Sequence, residues 1–410
     1  MPSLFHRPKW ENVNAPAVFW AGWNDIFLDG NYAAFNGYNT YGTGSRGKTW
    51  MVVDPLGHCQ EAANQYKHDV IAGRNAIGAL MAIALFTGEL DKSPPNTPEK
   101  VKRVTFYVMG ANYNKATGNF WTTADAWPKS KPTQYFMKAD GTLEPKKAAA
   151  AASIGHSHNN SHQHPRESAA GAAVPSNLTY AYDPKNPVPT IGGNNLILKC
   201  GPKDQTPVES RPDVLVFTSA PLKEPLVLTG PLTASLFVSS MGVNDTDFTV
   251  KLTDVYPDGK SSHLIQDGIV RMRWRERGLQ PVPIKPGKVE LVNVSLWATS
   301  YIYSVGHRIR VAVSSSNYPR FATNPNTGLP ISTVEAGGGK VTKIATNSLH
   351  FSEEHRPSIT LPVISLADVP PHPILDTYAS LTPEMKRLGD RLFAQSKIER
   401  KRNQEQPFTV

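Results

Sequence analysis

The chain has 410 residues, 43 Lys+Arg against 34 Asp+Glu, a formal net charge of +9 and only 2 Cys. That length allows two or three domains of roughly 150 residues each, and 15 Phe, 8 Trp and 14 Tyr exclude wholesale disorder. Two cysteines exclude a disulfide-dense scaffold and a four-cysteine zinc site, and they allow a single Cys59–Cys200 bridge.

Residues 16–22 (PAVFWAG) are a short apolar run ending in Gly and predict a buried strand. Residues 26–38 place apolar side chains near helical spacing. Residues 49–53 (TWMVV) predict a second strand, residues 69–86 an Ala/Ile/Leu-rich helix, and residues 101–109 a third strand. Strands that alternate with helices predict a mainly parallel sheet covered on both faces. After residue 118 the pattern changes. Short β-branched or aromatic runs (PLVLTG, TASLFVSS, TDFTVKLTDV, VELVNVSL, HRIRVAVSSS, ISLAD) alternate with turn residues such as Asp258-Gly259 and Pro286-Gly287. Such a run of short strands predicts an antiparallel sandwich or jelly roll, and 35 Pro suit strand-and-turn architecture.

Residues 146–174 are of low complexity and carry His156, His158, His162 and His164. Without an ordered scaffold to fix ligand geometry, a flexible polar insertion is expected there, and no metal site. A Pro-rich link then leads to an amphipathic helix from Pro383 to Lys401, whose basic residues form one solvated face. No nucleic-acid module with interleaved aromatics accompanies the positive charge, so no nucleic-acid partner is expected. The longest apolar stretch, Ala76 to Phe86, falls short of the ~18 residues of a membrane span. The opening MPSLFHRPKWENVN has no apolar signal core. A soluble chain without a membrane partner is expected, its compartment open.

Two residues stand where chemistry gathers in parallel sheets, at the carboxyl ends of strands. Asp25 closes the first strand, in GWND. His58 follows the second, in DPLGHCQ. A carboxylate there can accept a ring N–H, fix the tautomer and stabilise the imidazolium formed when His takes a proton. Acid before histidine is the order of the α/β-hydrolase triad, Ser…Asp…His. The alternatives are a turn or helix-cap role for Asp25 and a structural role for His58. Both side chains are expected to approach within ~2.6–3.2 Å.

The triad order demands an upstream serine, and only Ser3 precedes Asp25, outside any G-x-S-x-G. The whole sequence contains no such elbow. Gly42-Thr43-Gly44-Ser45-Arg46-Gly47 comes close, but Thr43 occupies the position of the first small residue that the tight turn needs. The same stretch matches G-x-G-x-x-G, yet no strand runs into it, so a loop is expected. The carboxylates Asp245, Asp247, Asp254 and Asp258 lack the spacing of a calcium loop and are expected in turns and caps.

GWNDIFLDG followed by DPLGH resembles the acid and histidine segments of the peptidase S15 group. These are the Xaa-Pro dipeptidyl-peptidase-like hydrolases, which include cocaine esterase, α-amino-acid ester hydrolases and glutaryl acylases. YDPKNPVPTIGG, CGPKDQTPVESRPDVLVFTSAPL, DTDFTVKLTDVYPDGKS, LIQDGIVRMRWRE and LWATSYIYSVGHRIRVAVSSSNYPRFATNPNTG are similar to the C-terminal domain of that family. The resemblance covers roughly residues 15–365, apart from the insertion.

The resemblance implies a fold that is α/β plus all-β: the C-terminal half of an α/β-hydrolase sheet (residues 1–118), then a jelly-roll β-sandwich (119–365) and a linker with a basic tail (366–410). It implies a serine hydrolase, with Asp25 as triad acid and His58 as general base, no cofactor, and a small-molecule or peptide acyl substrate. The family's nucleophilic serine, its oxyanion-hole tyrosine and its helical cap precede the GWND segment. Loss of the nucleophile lowers kcat on the order of 10⁶-fold, so this chain alone is expected to be inactive, as the C-terminal portion of a longer enzyme. Residues two and three after the triad acid, which bind a substrate ammonium in the amino-acid ester hydrolases, are Phe27 and Leu28 here. An apolar acyl group is therefore expected. The competing reading is a non-catalytic pseudoenzyme or a jelly-roll protein that binds a glycan or a protein.

Overall fold

Strands buried on both faces need near-continuous apolar runs, and the first part of the chain supplies three. In the computed structural model, which describes residues 9–58, 102–112, 116–146, 175–276, 280–329 and 340–372, they form β1 (Ala17–Asn24), β2 (Thr49–Gly57) and β3 (Val104–Gly110). β1 pairs with β2, and β2 with β3, all parallel. Every residue of β2 and β3 is buried. Helix α1 (Leu28–Tyr41) leaves the end of β1 and packs on β1 and β2. β4 (Phe120–Ala124) runs antiparallel to β3. The predicted helices at 69–86 and 383–401, the four histidines of the insertion, and Cys59 lie outside the described residues.

The strands that follow are β5 (Lys131–Met137), β6 (Leu143–Pro145) and β7 (Asn177–Tyr182), then the short helix α2 (Thr206–Glu209). After it come β8 (Leu215–Thr218), β9 (Leu226–Met241), β10 (Asp247–Val255), β11 (Ser262–Arg271), β12 (Glu290–Tyr303), β13 (Arg308–Ser314), β14 (Ala345–His350) and β15 (Ser358–Ile364). Among the described residues the fold is mostly β-sheet with few helices. One sheet has the order β11-β10-β13-β8, antiparallel throughout. The other follows β1-β2-β3-β12-β9-β15-β5-β6, with β7 and β14 attached through β9. It is continuous because the end of β12 pairs in parallel with β3, Tyr301 with Met109 and Ile302 with Gly110. The tyrosines of β12 bridge the two sheets: the Tyr301 hydroxyl donates to Asp254 Oδ2 at 2.7 Å and the Tyr303 hydroxyl to the Thr253 carbonyl at 3.1 Å. Leu236, Phe248, Val250, Val294 and Val311 belong to the apolar core that the layers share.

Three elements differ from the predicted runs. PLVLTG and TASLFVSS are one 16-residue strand, β9. Gly230, at φ 131°, lets the chain bend at the Gly230-Pro231 step without breaking its pairing with β12. VELVNVSL continues to Tyr303, past a register shift between Ser295 and Ala298 where Trp297 takes φ 64°. ISLAD is no strand. The strand is SITLPVI, and Ser365 then caps the 3-10 turn Leu366–Asp368 by accepting the Ala367 N–H at 3.2 Å.

Candidate active site

β1 and β2 end side by side, and their parallel register carries the residues that follow them to the same rim. Asp25 leaves β1 in a tight turn, its N–H bonded to the Gly22 carbonyl at 3.0 Å and its own carbonyl accepting from Leu28 N at 3.1 Å. One carboxylate oxygen, Oδ1, accepts the Phe27 N–H at 2.9 Å. The other, Oδ2, lies 3.2 Å from His58 Nδ1. The two side chains that the sequence singled out therefore meet. Asp25 also keeps the local turn bond that its alternative reading foresaw.

His58 is 43% exposed and Asp25 17%. The Phe27 ring stands edge-on to the imidazole, centroids 5.1 Å apart, and is itself 53% exposed. The chain before His58 is immobilised. Asp54 Oδ1 accepts the Leu56 N–H at 2.8 Å, and Asp54 Oδ2 accepts the Trp20 indole N–H at 2.9 Å. Asn24 donates from Nδ2 to the Pro55 carbonyl at 2.9 Å, tying the end of β1 to β2. Trp23, fully buried, donates its indole N–H to the Tyr107 carbonyl at 2.7 Å. The arrangement presents an oriented imidazole at a rim, with its second ring nitrogen unclaimed by Asp25. An imidazole held in this way can take up a proton.

Ser45, the serine of the near-miss elbow, is buried and donates to the Tyr38 carbonyl at 3.1 Å. It is a loop residue. The carboxylates considered for calcium bind protein partners: Asp245 pairs with Arg273 and Asp247 with Arg271, while Asn324 Nδ2 donates to both acids. Asp258 accepts the Lys260 N–H in a turn at 3.0 Å. Among the described residues no group of three or more His, Cys, Asp or Glu is placed to hold a metal. None of their helices is long and apolar enough to cross a membrane. A cleft of about 650 Å³ lies elsewhere, between Phe136–Glu144 and Phe351–Pro357, and contains neither Asp25 nor His58. Sequence reasoning missed Phe27 as a neighbour of the imidazole, and it missed the buried amides of Asn194 and Gln266 behind Asp25. A Gly-Gly-Asn-Asn run marks the first amide only as a turn.

Residues 96–360 match the family described as the X-Pro dipeptidyl-peptidase C-terminal non-catalytic domain. Cocaine esterase of Rhodococcus sp. (strain MB1 Bresler) is 34% identical over 379 residues, which span 88% of this chain and 58% of that protein. A putative serine esterase of Mycobacterium bovis is 27% identical over 255 residues, 55% of this chain and 37% of that one. Among solved structures, an aminopeptidase from a marine sediment archaeon, Thaumarchaeota archaeon, superposes with TM-score 0.64 at 26% identity. That match covers 85% of this chain and 55% of the other. An α-amino acid ester hydrolase superposes with TM-score 0.60 at 24% identity over the same shares, a likeness of fold. The chain thus spans little more than half the length of these structures.

Proposed function

This chain belongs to the family of X-Pro dipeptidyl-peptidase C-terminal domains, within the peptidase S15 group, and from that membership we propose that it supplies the acid and base of a serine hydrolase. The observation that carries the reading is the 3.2 Å contact of Asp25 Oδ2 with His58 Nδ1 at the adjacent ends of two parallel strands. Asp25 holds the ring with its proton on Nδ1. Nε2 is then free to take the proton of a serine hydroxyl as it attacks an acyl carbon, and to return it to the leaving alcohol or amine. The serine comes from outside these 410 residues, because they contain no G-x-S-x-G and Ser45 is bound inside a loop.

In this reading β1–β3 close an α/β-hydrolase sheet within residues 1–118. Residues 119–365 form a jelly-roll sandwich that walls the site, and 366–410 form a linker and basic tail. The substrate is an ester or amide with an apolar acyl part. Phe27 is exposed beside the imidazole, and Leu196 and Ile197, 42% and 85% exposed, project from the loop whose Asn195 lies against Asp25. Phe27 and Leu28 offer no charge to a substrate ammonium.

The test is to sequence the transcript upstream of Met1 and treat the encoded protein and the 410-residue chain with a fluorophosphonate probe. The longer protein, with an in-frame G-x-S-x-G, is expected to label at that serine and the 410-residue chain to stay unlabelled. Labelling of the 410-residue chain overturns the assignment of the nucleophile.

A further inference from the structure

The strand ends that carry the two residues are touched by one loop from far along the chain. It runs from Gly193 to Gly201 and is closed by a pair of backbone hydrogen bonds between those glycines, 2.9 and 3.1 Å. Asn194 projects from it and donates from Nδ2 to the Trp23 carbonyl at 3.1 Å and to the Asp25 carbonyl at 3.3 Å. Asn195 runs beside Asp25 as a parallel bridge. From β11, Gln266 Nε2 donates to the same Trp23 carbonyl at 2.9 Å and to the Ala298 carbonyl of β12 at 3.1 Å. At the loop's other end, Cys200 packs behind the residue before His58, so closely that a Cβ on Gly57 would lie 2.1 Å from its sulfur.

Asn194 and Gln266 are both fully buried. Asn194 Oδ1 and Gln266 Oε1 have no protein partner among the described residues. Turning either amide would therefore set its oxygen against backbone carbonyls, so the donors have one available orientation. The amides fix the carbonyl side of the turn at Asp25, and the Phe27 N–H fixes Oδ1 from the other side. Oδ2 is left to meet His58.

We propose that Asn194, seconded by Gln266, is a positioning residue that aims the Asp25 carboxylate at His58. The Gly193–Gly201 loop is then the frame that sets the separation of the two strand ends. This rests on the reading of Asp25 and His58 as an acid–base pair. Reacting groups displaced by about 1 Å lose on the order of 10²-fold in rate, so a frame acting on the pair is a lever on the chemistry while touching no substrate.

The test uses the full 410-residue chain and the ¹⁵N resonances of the His58 ring, which report the nitrogen that holds the proton. Asp25→Asn is measured first and is expected to reverse the Nδ1–H preference. Asn194→Ala is then expected to lower the Nδ1–H to Nε2–H ratio at least two-fold, and Gln266→Met to shift it less in the same direction. Asn194→Leu fills the site, removes the donors without burying a charge, and serves where the alanine variant does not fold. If Asp25→Asn moves the ring signals while both Asn194 variants melt earlier and leave them unchanged, the loop is only structural and the proposal is overturned. If Asp25→Asn moves nothing, the acid–base reading fails first and takes the proposal with it.

Discussion

Two carboxylate–imidazole pairs occur in the described chain, alike in composition and opposite in setting. Asp25 and His58 meet at the rim of the parallel strands, partly exposed, through one contact of 3.2 Å. Asp254 and His307 meet between the sheets, both fully buried. There His307 Nδ1 lies 2.7 and 2.9 Å from the two carboxylate oxygens, and the Tyr301 hydroxyl donates to the same group. Burial and the Asp254 charge push the Tyr301 phenol well above its ordinary pKa. The Tyr256 ring covers the His307 imidazole at 5.0 Å. A base must reach the proton it removes, and His307 has no exposed surface through which to do so. The inner pair ties β10 to β12 and to the turn before β13. In the outer pair His58 engages Asp25 through Nδ1, on a side chain that is 43% exposed. The residue types alone do not separate the two pairs, but their exposure to solvent does.

The largest effect expected from this comparison is on catalysis. In the longer protein proposed above, Asp25→Asn is expected to lower kcat about 10⁴-fold, because the amide favours the wrong tautomer of His58. Its urea midpoint should stay near that of the parent, since a partly exposed pair contributes under about 1 kcal/mol. Steady-state kinetics with a chromogenic ester and an equilibrium melt read the two quantities. A full rate in the variant would place Asp25 among ordinary turn residues.

The inner pair should behave in the reverse way. His307→Phe leaves a buried carboxylate with the Tyr301 hydroxyl alone, and breaking such a pair costs about 3–5 kcal/mol. Urea titration followed by tryptophan fluorescence should show that loss as a lower midpoint at unchanged slope. A change within about 1 kcal/mol would falsify the structural role assigned to the inner pair.

How much of this was readable beforehand depends on the kind of contact. Asp25 and His58 stood out because each follows an apolar run, and the ends of parallel strands gather chemistry whatever the rest of the fold does. The β9 strand was hidden by Gly230-Pro231, which reads as a turn until a neighbouring strand is seen to hold it. β11 was hidden by Gln266-Asp267-Gly268. That polar interruption is paired from inside: Asp267 accepts from Asn317 Nδ2 at 2.8 Å and pairs with Arg320. Gly268 lies so close to β12 that a Cβ there would meet the Ser295 carbonyl at 2.0 Å. Asn194 and Gln266 act on backbone carbonyls 171 and 243 residues away. A carbonyl belongs to every residue, so such contacts leave no mark on the partner's sequence. Of the acids expected in turns and caps, Asp245 does accept a backbone N–H in the 3-10 turn Met272–Trp274, from Arg273 at 2.8 Å, whereas Asp247 opens β10. Both also pair with Arg273 and Arg271, two positions apart on a chain segment that sequence spacing alone does not bring to them.

A smaller effect sharpens the same contrast between rim and interior, through a charge held without a carboxylate in direct contact. Lys251 of β10 is buried, and its ammonium donates to Gln205 Oε1 at 2.9 Å. Desolvation lowers its pKa to about 8, against partial support from the more distant charges of Asp267 and Glu209. In the unfolded chain a lysine keeps its proton to about pH 10.4. Between these values the unfolded state binds more protons than the folded one, so stability must rise with pH. The gain from pH 8 to pH 10 is ~2 kcal/mol by that linkage. Above pH 10 it is opposed: burial raises the phenols of Tyr180 and Tyr182, so once the unfolded phenols ionise the folded state holds more protons than the unfolded one and stability falls as pH rises. Urea midpoints measured across this window should climb in the parent and stay flat in Lys251→Met. A climb that survives the substitution would assign the proton to another group, and the interior would then hold Lys251 at little expense.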